Sequence, residues 1–547
     1  MAERNGIITG GKLPAWVFVS MPTIFILLVA VYPFLVLVHG NFSLSFFSEI
    51  TGNSPTAQLV RRGIWNSITQ GVLSALASFV VGLPLGIFLG RNEFRLKRAL
   101  NSLILVPFFL PSLIVVFAVL SGFGNGSAAS SILPFSGYLS GGLPGILVVN
   151  TFFNAPLVAF FTKTAVERAD VSLEEAASTL NSSTFRSFYS LWGRDGIISG
   201  LGGAILAFIY SFTGFAAPLI IGGIGSYTLD AWIYFEYRTY NLPAAIFFSI
   251  TEALILLIPA AIYLLYSSRM VRTTSTGNRE RNGTPYRSLF FLAGIAYAIL
   301  WVATEVYLLS SLIINSLEVR GSSVLGLDNY RYLVSREISS SIGISIQGAV
   351  MNTLFYGTVT ATMVTAIGIV WVIGKRRLGG GKFLASESFQ YVPLVISAVI
   401  MGFAILVVFG ISAPGNLIWV LIVAAQASVA IPVVLRIIDN GFATIPVSQS
   451  EASMILKGIP SLEVELPLAK SAFATSLMFG FAISIGEFSS TNLLASGSFI
   501  PLTVMLYSLQ GIRLFGPAYA VGTILLIISI LAFVIIQKLG ERFVAFR

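Results

Sequence analysis

The sequence predicts an all-α membrane protein: about twelve transmembrane helices in two parallel six-helix repeats, with both chain ends on the inner face. Three observations lead there. Hydrophobic residues fill 56% of the 547 positions and charged residues only 10%, whereas a soluble domain carries about 25% charged residues. Apolar runs recur at close to the ~20 residues that a bilayer core demands of a helix. A short motif also occurs twice: Pro156 is followed nineteen positions later by Glu175-Ala176-Ala177, and Pro432 nineteen positions later by Glu451-Ala452-Ser453, an offset of 276 (432 − 156).

In chain order the runs are 15–38, 64–90, 100–122, 141–162, 197–222 and 244–267, then 288–313, 349–374, 388–410, 416–437, 470–496 and 517–537. The first, Ala15 to Val38, has no small-residue cleavage site after it, so a retained helix is expected. The single histidine, His39, closes that run and is expected at the membrane interface, without a chemical role. Zero cysteines exclude disulfides and thiolate metal sites.

Orientation follows from Lys and Arg, which concentrate in cytoplasmic loops. Arg91, Arg95, Lys97 and Arg98 lie between runs two and three, Lys375, Arg376, Arg377 and Lys382 between runs eight and nine, and Lys538, Arg542 and Arg547 close the chain. All fall on one side if the N-terminus is inside; Arg61, Arg62 and the three Arg between 320 and 336 are exceptions. The net charge of +9 is therefore read as loop charge in a lipid-embedded protein, not as a nucleic-acid surface. The polar, basic stretch 273–287 separates a first domain, 1–272, from a second, 288–547.

The repeat extends beyond the motif. Asn66-Ser67, Gly71, Gly82 and Val106-Pro107 match Asn352-Thr353, Gly357, Gly368 and Val392-Pro393 at an offset of 286 (352 − 66). After the motif the offset is 273 (488 − 215), pairing Phe215 with Phe488, Leu229 with Leu502, Tyr234 with Tyr507 and Ala245 with Ala518. Six spans separate the copies, so the repeats run parallel about an axis along the membrane normal.

Each copy of the motif opens like a helix. Ser172 with Glu175, and Ser448 with Glu451, have capping-box spacing, and Glu and Ala then favour a short helix. Leu180 and Leu456 each supply one apolar knob among small residues, the pattern of a helix that seats in a partner's groove. A connecting loop helix is the plainer reading of one copy; two copies at matched spacing argue for two equivalent docking points.

These segments resemble the Glu-Ala-Ala motif of importer permeases in the ATP-binding cassette (ABC) superfamily: Glu-Ala-Ala, three residues, Gly, nine residues, Ile, one residue, Leu-Pro. Over both halves the chain is similar to the fused permeases of ferric-iron and thiamine uptake systems. The first copy has Glu175, Ala176, Ala177 and Leu180, but Asn181 stands at the Gly position and Gly193-Arg194 at Leu-Pro. The second has Glu451, Ala452 and Leu456 and keeps Leu466-Pro467, with Ser453 for the second Ala, and Lys457 at the Gly position followed by Gly458.

The resemblance implies the type I importer permease fold in the cell membrane. It implies a coupling helix in each half, seated on one of two cytoplasmic ABC ATPase subunits, and a solute-binding protein outside. ATP and magnesium would belong to the ATPase, so that this chain binds no cofactor or metal and is not itself an enzyme. The residues agree: Gly379-Gly380-Gly381-Lys382-Phe383 has Phe where a phosphate-binding loop needs a magnesium-holding hydroxyl.

For the solute pathway, polar groups inside spans are the candidates. Glu487, in Ser484-Ile-Gly-Glu487-Phe488, puts a carboxylate in run eleven opposite Gly214 of the first half. It is read either as an attractor for a cationic solute, such as ferric iron or thiamine, or as a group that bonds backbone at a kink. Phe215 with Phe488 and Tyr234 with Tyr507 are candidate pathway linings, and Asp230 is expected near a helix end, in contact with water. The alternative to an importer is a twelve-helix secondary transporter of the major facilitator type. Its expected Gly-x-x-x-Asp-Arg/Lys signature is not supplied by residues 91–98.

Overall fold

The computed structural model describes residues 15–39, 52–168, 193–270, 288–319, 324–378, 392–410, 414–443, 445 and 462–545. The principal helices of the first half are α1 (Ala15–Ile26), α2 (Tyr32–His39), α3 (Pro55–Arg91), α4 (Lys97–Phe109), α5 (Ser112–Phe123), α6 (Gly142–Arg168), α7 (Arg194–Phe212), α8 (Leu229–Arg238) and α9 (Leu242–Met270). Those of the second are α10 (Leu289–Leu317), α11 (Ile346–Leu378), α12 (Ala398–Ile405), α13 (Ile418–Ala443), α14 (Leu462–Leu468), α15 (Lys470–Gly486), α16 (Thr491–Leu494), α17 (Leu502–Gly511) and α18 (Phe515–Ala545). No strand occurs among the described residues, where an isolated bridge joins Glu318 and Leu325.

Ten helical stretches among the described residues are long and apolar enough to cross a membrane. The expected ninth and eleventh spans are the shorter apolar helices Ala398–Gly410 and Lys470–Gly486. Helix breaks are the reason, and they fall at equivalent places in the two halves. The run 100–122 is two helices, α4 and α5, parted at Leu110-Pro111. The residue before a proline is driven out of the helical region, and Leu110 is extended at φ −77°, ψ 144°. At the matching position (111 + 286 = 397) Ser397 is extended and caps α12, its Oγ accepting from the Ile400 N–H. The second break follows α7 at Thr213-Gly214 and α15 at Gly486-Glu487.

The first span of each half lies against the other half. α1 packs on α11, and α10 packs on α5, α4 and α3 as well as on α18. A Cβ on Gly374 of α11 would stand 2.9 Å from the Val19 backbone nitrogen of α1, so only glycine admits that approach. On the other side Trp301 of α10 stacks on Phe152 of α6, centroids 5.8 Å apart, and the Tyr307 hydroxyl donates to the Gly122 carbonyl at 2.6 Å.

The sequence repeat reappears as a repeated hydrogen-bond clamp. In α3, Asn66 Nδ2 donates to the carbonyls of Gly225 and Tyr227 at 2.9 and 3.0 Å, and Ser67 Oγ accepts from the Leu229 N–H at 2.9 Å. In α11, Asn352 Nδ2 donates to Ser498 and Ile500 at 2.7 and 3.1 Å, and Thr353 Oγ1 accepts from the Leu502 N–H at 2.9 Å. The free N–H groups at the start of a helix need such partners. The clamps therefore fix where the short helices α8 and α17 begin.

Candidate functional site

The breaks place the two halves against each other along a seam. Pro111 faces Gly486, where a Cβ would stand 3.3 Å from the proline Cα. Ser397 donates its hydroxyl to Asp230 Oδ1 at 2.7 Å. Along one face of α8, at helical spacing, Asp230, Tyr234 and Tyr237 all look at the second half: Tyr234 meets Tyr507 and Tyr237 meets Phe403.

Four rings close the middle of this seam. Phe215 and Phe488 stack, centroids 5.4 Å apart and planes inclined by 26°. Tyr234 meets Phe215 edge-on at 5.4 Å, Tyr507 meets Phe488 at 5.4 Å, and the two tyrosines meet at 6.2 Å. Each ring touches both its neighbour in the same half and its own repeat partner. These are the four aromatic residues that the 273-residue offset pairs, and Phe215 and Phe488 are 2% and 1% exposed. Arg238 extends over Tyr234, its guanidinium carbon 5.9 Å from the ring centre.

A second repeated feature involves Ser211 of α7 and Ser484 of α15, just before the second break in each half, and the sequence reading did not single it out. Asn150 donates to Ser74 Oγ at 3.0 Å, and Asn154 to Ser211 Oγ at 3.1 Å. In the second half Gln426 Oε1 accepts from Thr360 Oγ1 at 3.4 Å and from Ser484 Oγ at 2.5 Å. Ser74 and Thr360 are related by 286, Asn150 and Gln426 by 276, and Ser211 and Ser484 by 273, so the signal was present in the spacing.

Glu487 is 8% exposed, and its carboxylate is engaged locally. It accepts from the Ser490 N–H and hydroxyl at 3.1 and 2.6 Å, and from those of Thr491 at 3.1 and 2.8 Å. This is the backbone-bonding arrangement at a break: the carboxylate satisfies the first N–H groups of α16. Asp230 departs from expectation. It is fully buried, not in contact with water, because α8 packs between α9, α3 and α12 with its first turn on Ser397.

Of the paired motif, Leu466 and Pro467 lie in α14, Leu466 half-buried on the main core. Glu175, Ala176, Ala177, Leu180, Glu451, Ala452, Ser453, Leu456 and Gly458 lie outside the described residues. The helices that lead into both segments are pinned by ion pairs near their ends. Lys97 Nζ lies 3.0 Å from Glu167 of α6, and Lys163 donates to Asn101 at 2.9 Å. In the second half Lys375 of α11 meets Asp439 of α13 at 2.8 Å. Asp439 occupies the position of Lys163 (163 + 276), but Lys375 occupies that of Leu89 (375 − 286), so the two halves make this join with different partners. No cluster of three or more metal-ligating side chains occurs among the described residues.

Residues 82–272 match the family model described as binding-protein-dependent transport system inner membrane component. The chain is 24% identical to a thiamine transport system permease protein of Escherichia coli, an alignment covering 99% of this chain and 98% of that one. It is 23% identical to a ferric transport system permease protein of Actinobacillus pleuropneumoniae, covering 85% and 69%. A molybdate/tungstate transport system permease protein of Pyrococcus furiosus is 29% identical over 30% of this chain and 61% of its own.

Proposed function

Because this chain belongs, as a fused form, to the binding-protein-dependent permeases of ABC importers, we propose that it forms the whole solute pathway of one such importer. It is a multi-pass protein of the cell membrane. In this reading twelve spans run with both ends inside, two six-span domains flank the basic stretch 273–287, and the segments at Glu175 and Glu451 each dock one cytoplasmic ATPase subunit. ATP is hydrolysed in those partners, and a binding protein delivers the solute from outside.

The observation that carries the reading is the seam between two like halves, closed by rings that the repeat pairs. A pathway on the axis between two parallel repeats opens to alternate sides when the halves rock. Closure of the ATPase subunits would drive the rocking through the docked segments.

For the solute, thiamine fits best among ferric iron, thiamine and other small cations. Parted ring faces present a site for an organic cation, and Tyr234 already carries the Arg238 guanidinium at 5.9 Å. The test is uptake by proteoliposomes holding this chain with its ATPase and binding protein. ATP-dependent accumulation of thiamine is expected. Accumulation of ferric iron in its place would overturn the choice of solute, and accumulation driven by an ion gradient without ATP would overturn the importer reading.

A further inference from the structure

Asp230 of α8 and Glu252 of α9 face each other where the first half meets the second, both fully buried. Two adjacent carboxylates shut away from water repel each other and lose their hydration, and neither is tolerated as a bare charge. The surroundings offer little relief. Ser397, itself buried, gives its hydroxyl to Asp230 Oδ1 at 2.7 Å while its Oγ accepts from the Ile400 N–H at 3.2 Å. Asp230 Oδ2 and both oxygens of Glu252 receive no donor from the described residues. Four carboxyl oxygens are thus brought together, and the single hydroxyl, supplied from the opposite half, bonds one of them.

We propose that Asp230 and Glu252 form a proton-binding site, one proton being shared between the two carboxyls. The shared proton supplies the donor that Asp230 Oδ2 and Glu252 lack, and it removes a charge from a dry seam. Through Ser397 the site ties α8 and α9 of the first half to the first turn of α12 in the second. It belongs to the first half alone: an offset of 273 places Thr503 and Leu525 at the positions of Asp230 and Glu252. The inference rests on these groups and not on the identity of the solute or the partners.

Infrared difference spectroscopy of the purified full chain in lipid nanodiscs at neutral pH tests it. Wild type is expected to show the carbonyl band of a protonated carboxylic acid that is lost in both Asp230→Asn and Glu252→Gln. A carboxamide in either place donates to the remaining carboxylate, which then holds no proton. Ser397→Ala, which keeps both acids, is expected to shift that band without removing it, and it serves if the acid variants fold poorly. A wild-type spectrum without such a band, or a band that survives in either acid variant, overturns the proposal. So does thermal stabilisation of wild type, but not of Glu252→Gln, by sodium or potassium ions, which would make the occupant a metal cation.

Discussion

Phe215 and Phe488, related by the internal repeat, stack on each other across the seam at 5.4 Å. Two equivalent residues of parallel repeats touch only if they lie beside the axis relating the halves, so this stack marks that axis. Tyr234 and Tyr507 pack against the stack, one from each half, and in the proposed reading these four rings close the pathway.

Truncating either ring leaves a cavity, and a buried Phe→Ala change costs about 3–5 kcal/mol. The double variant Phe215→Ala/Phe488→Ala is expected to fall short of the sum of the singles by about 0.5–1.5 kcal/mol, the value of one aromatic pair. Equilibrium denaturation in detergent of the four-member cycle measures this; strictly additive losses would mean that the stack carries no coupling.

The amide clamps have a directional chemistry. Asn66 and Asn352 each give both N–H bonds of one nitrogen to two carbonyls. Replacement by Ala leaves those carbonyls unsatisfied, at about 1–3 kcal/mol. Replacement by Asp sets a carboxylate against them and is expected to lower the thermal midpoint further than Ala does, in both halves. A midpoint for the Asp variants at or above that of Ala would show that the nitrogen is not the anchoring atom.

Gly82 and Gly368 are repeat partners that meet different obstacles. A Cβ on Gly82 would collide with the Ala155 carbonyl oxygen, a backbone atom, whereas on Gly368 it would meet the terminal Cδ1 of Ile438 at 2.5 Å. A side-chain tip can turn away and a helix backbone cannot. Gly82→Ala is therefore expected to destabilise the protein more than Gly368→Ala, by thermal shift in the same detergent; the reverse order would contradict this account of the α3–α6 contact.

Glu487→Ala removes the acceptor of four hydrogen bonds that begin α16. Thermal stability is expected to fall while the KM for uptake stays within about twofold, a change far below the tenfold that 1.4 kcal/mol would produce. A raised KM at unchanged stability would return this carboxylate to the role of solute attractor.

Much of this was legible in the sequence because a repeat records contacts twice. Asn66 with Asn352, Phe215 with Phe488 and Tyr234 with Tyr507 were paired by spacing, and each pair performs the same task in both halves. The breaks were harder to read. Hydropathy scores an apolar run alike whether or not its helix is continuous, and Ser397 carries no proline to announce the interruption that Pro111 makes. Asp230 was misplaced for a different reason. Its partner Ser397 lies 167 residues away in the opposite half, and local pattern cannot show which half covers a helix end. The exchange of α1 and α10 between halves was hidden for the same reason.

The central claim is that this chain docks an ATPase subunit through each of its paired segments. Purification from the native membrane in mild detergent, with mass spectrometry and an ATPase assay on the eluate, tests it most directly. The expected result is one ATPase subunit for each segment, with binding and activity lost in Glu175→Lys/Glu451→Lys while the variant chain still folds into the membrane. A chain that elutes without an ATPase, or a double variant that retains it in full, would contradict the claim.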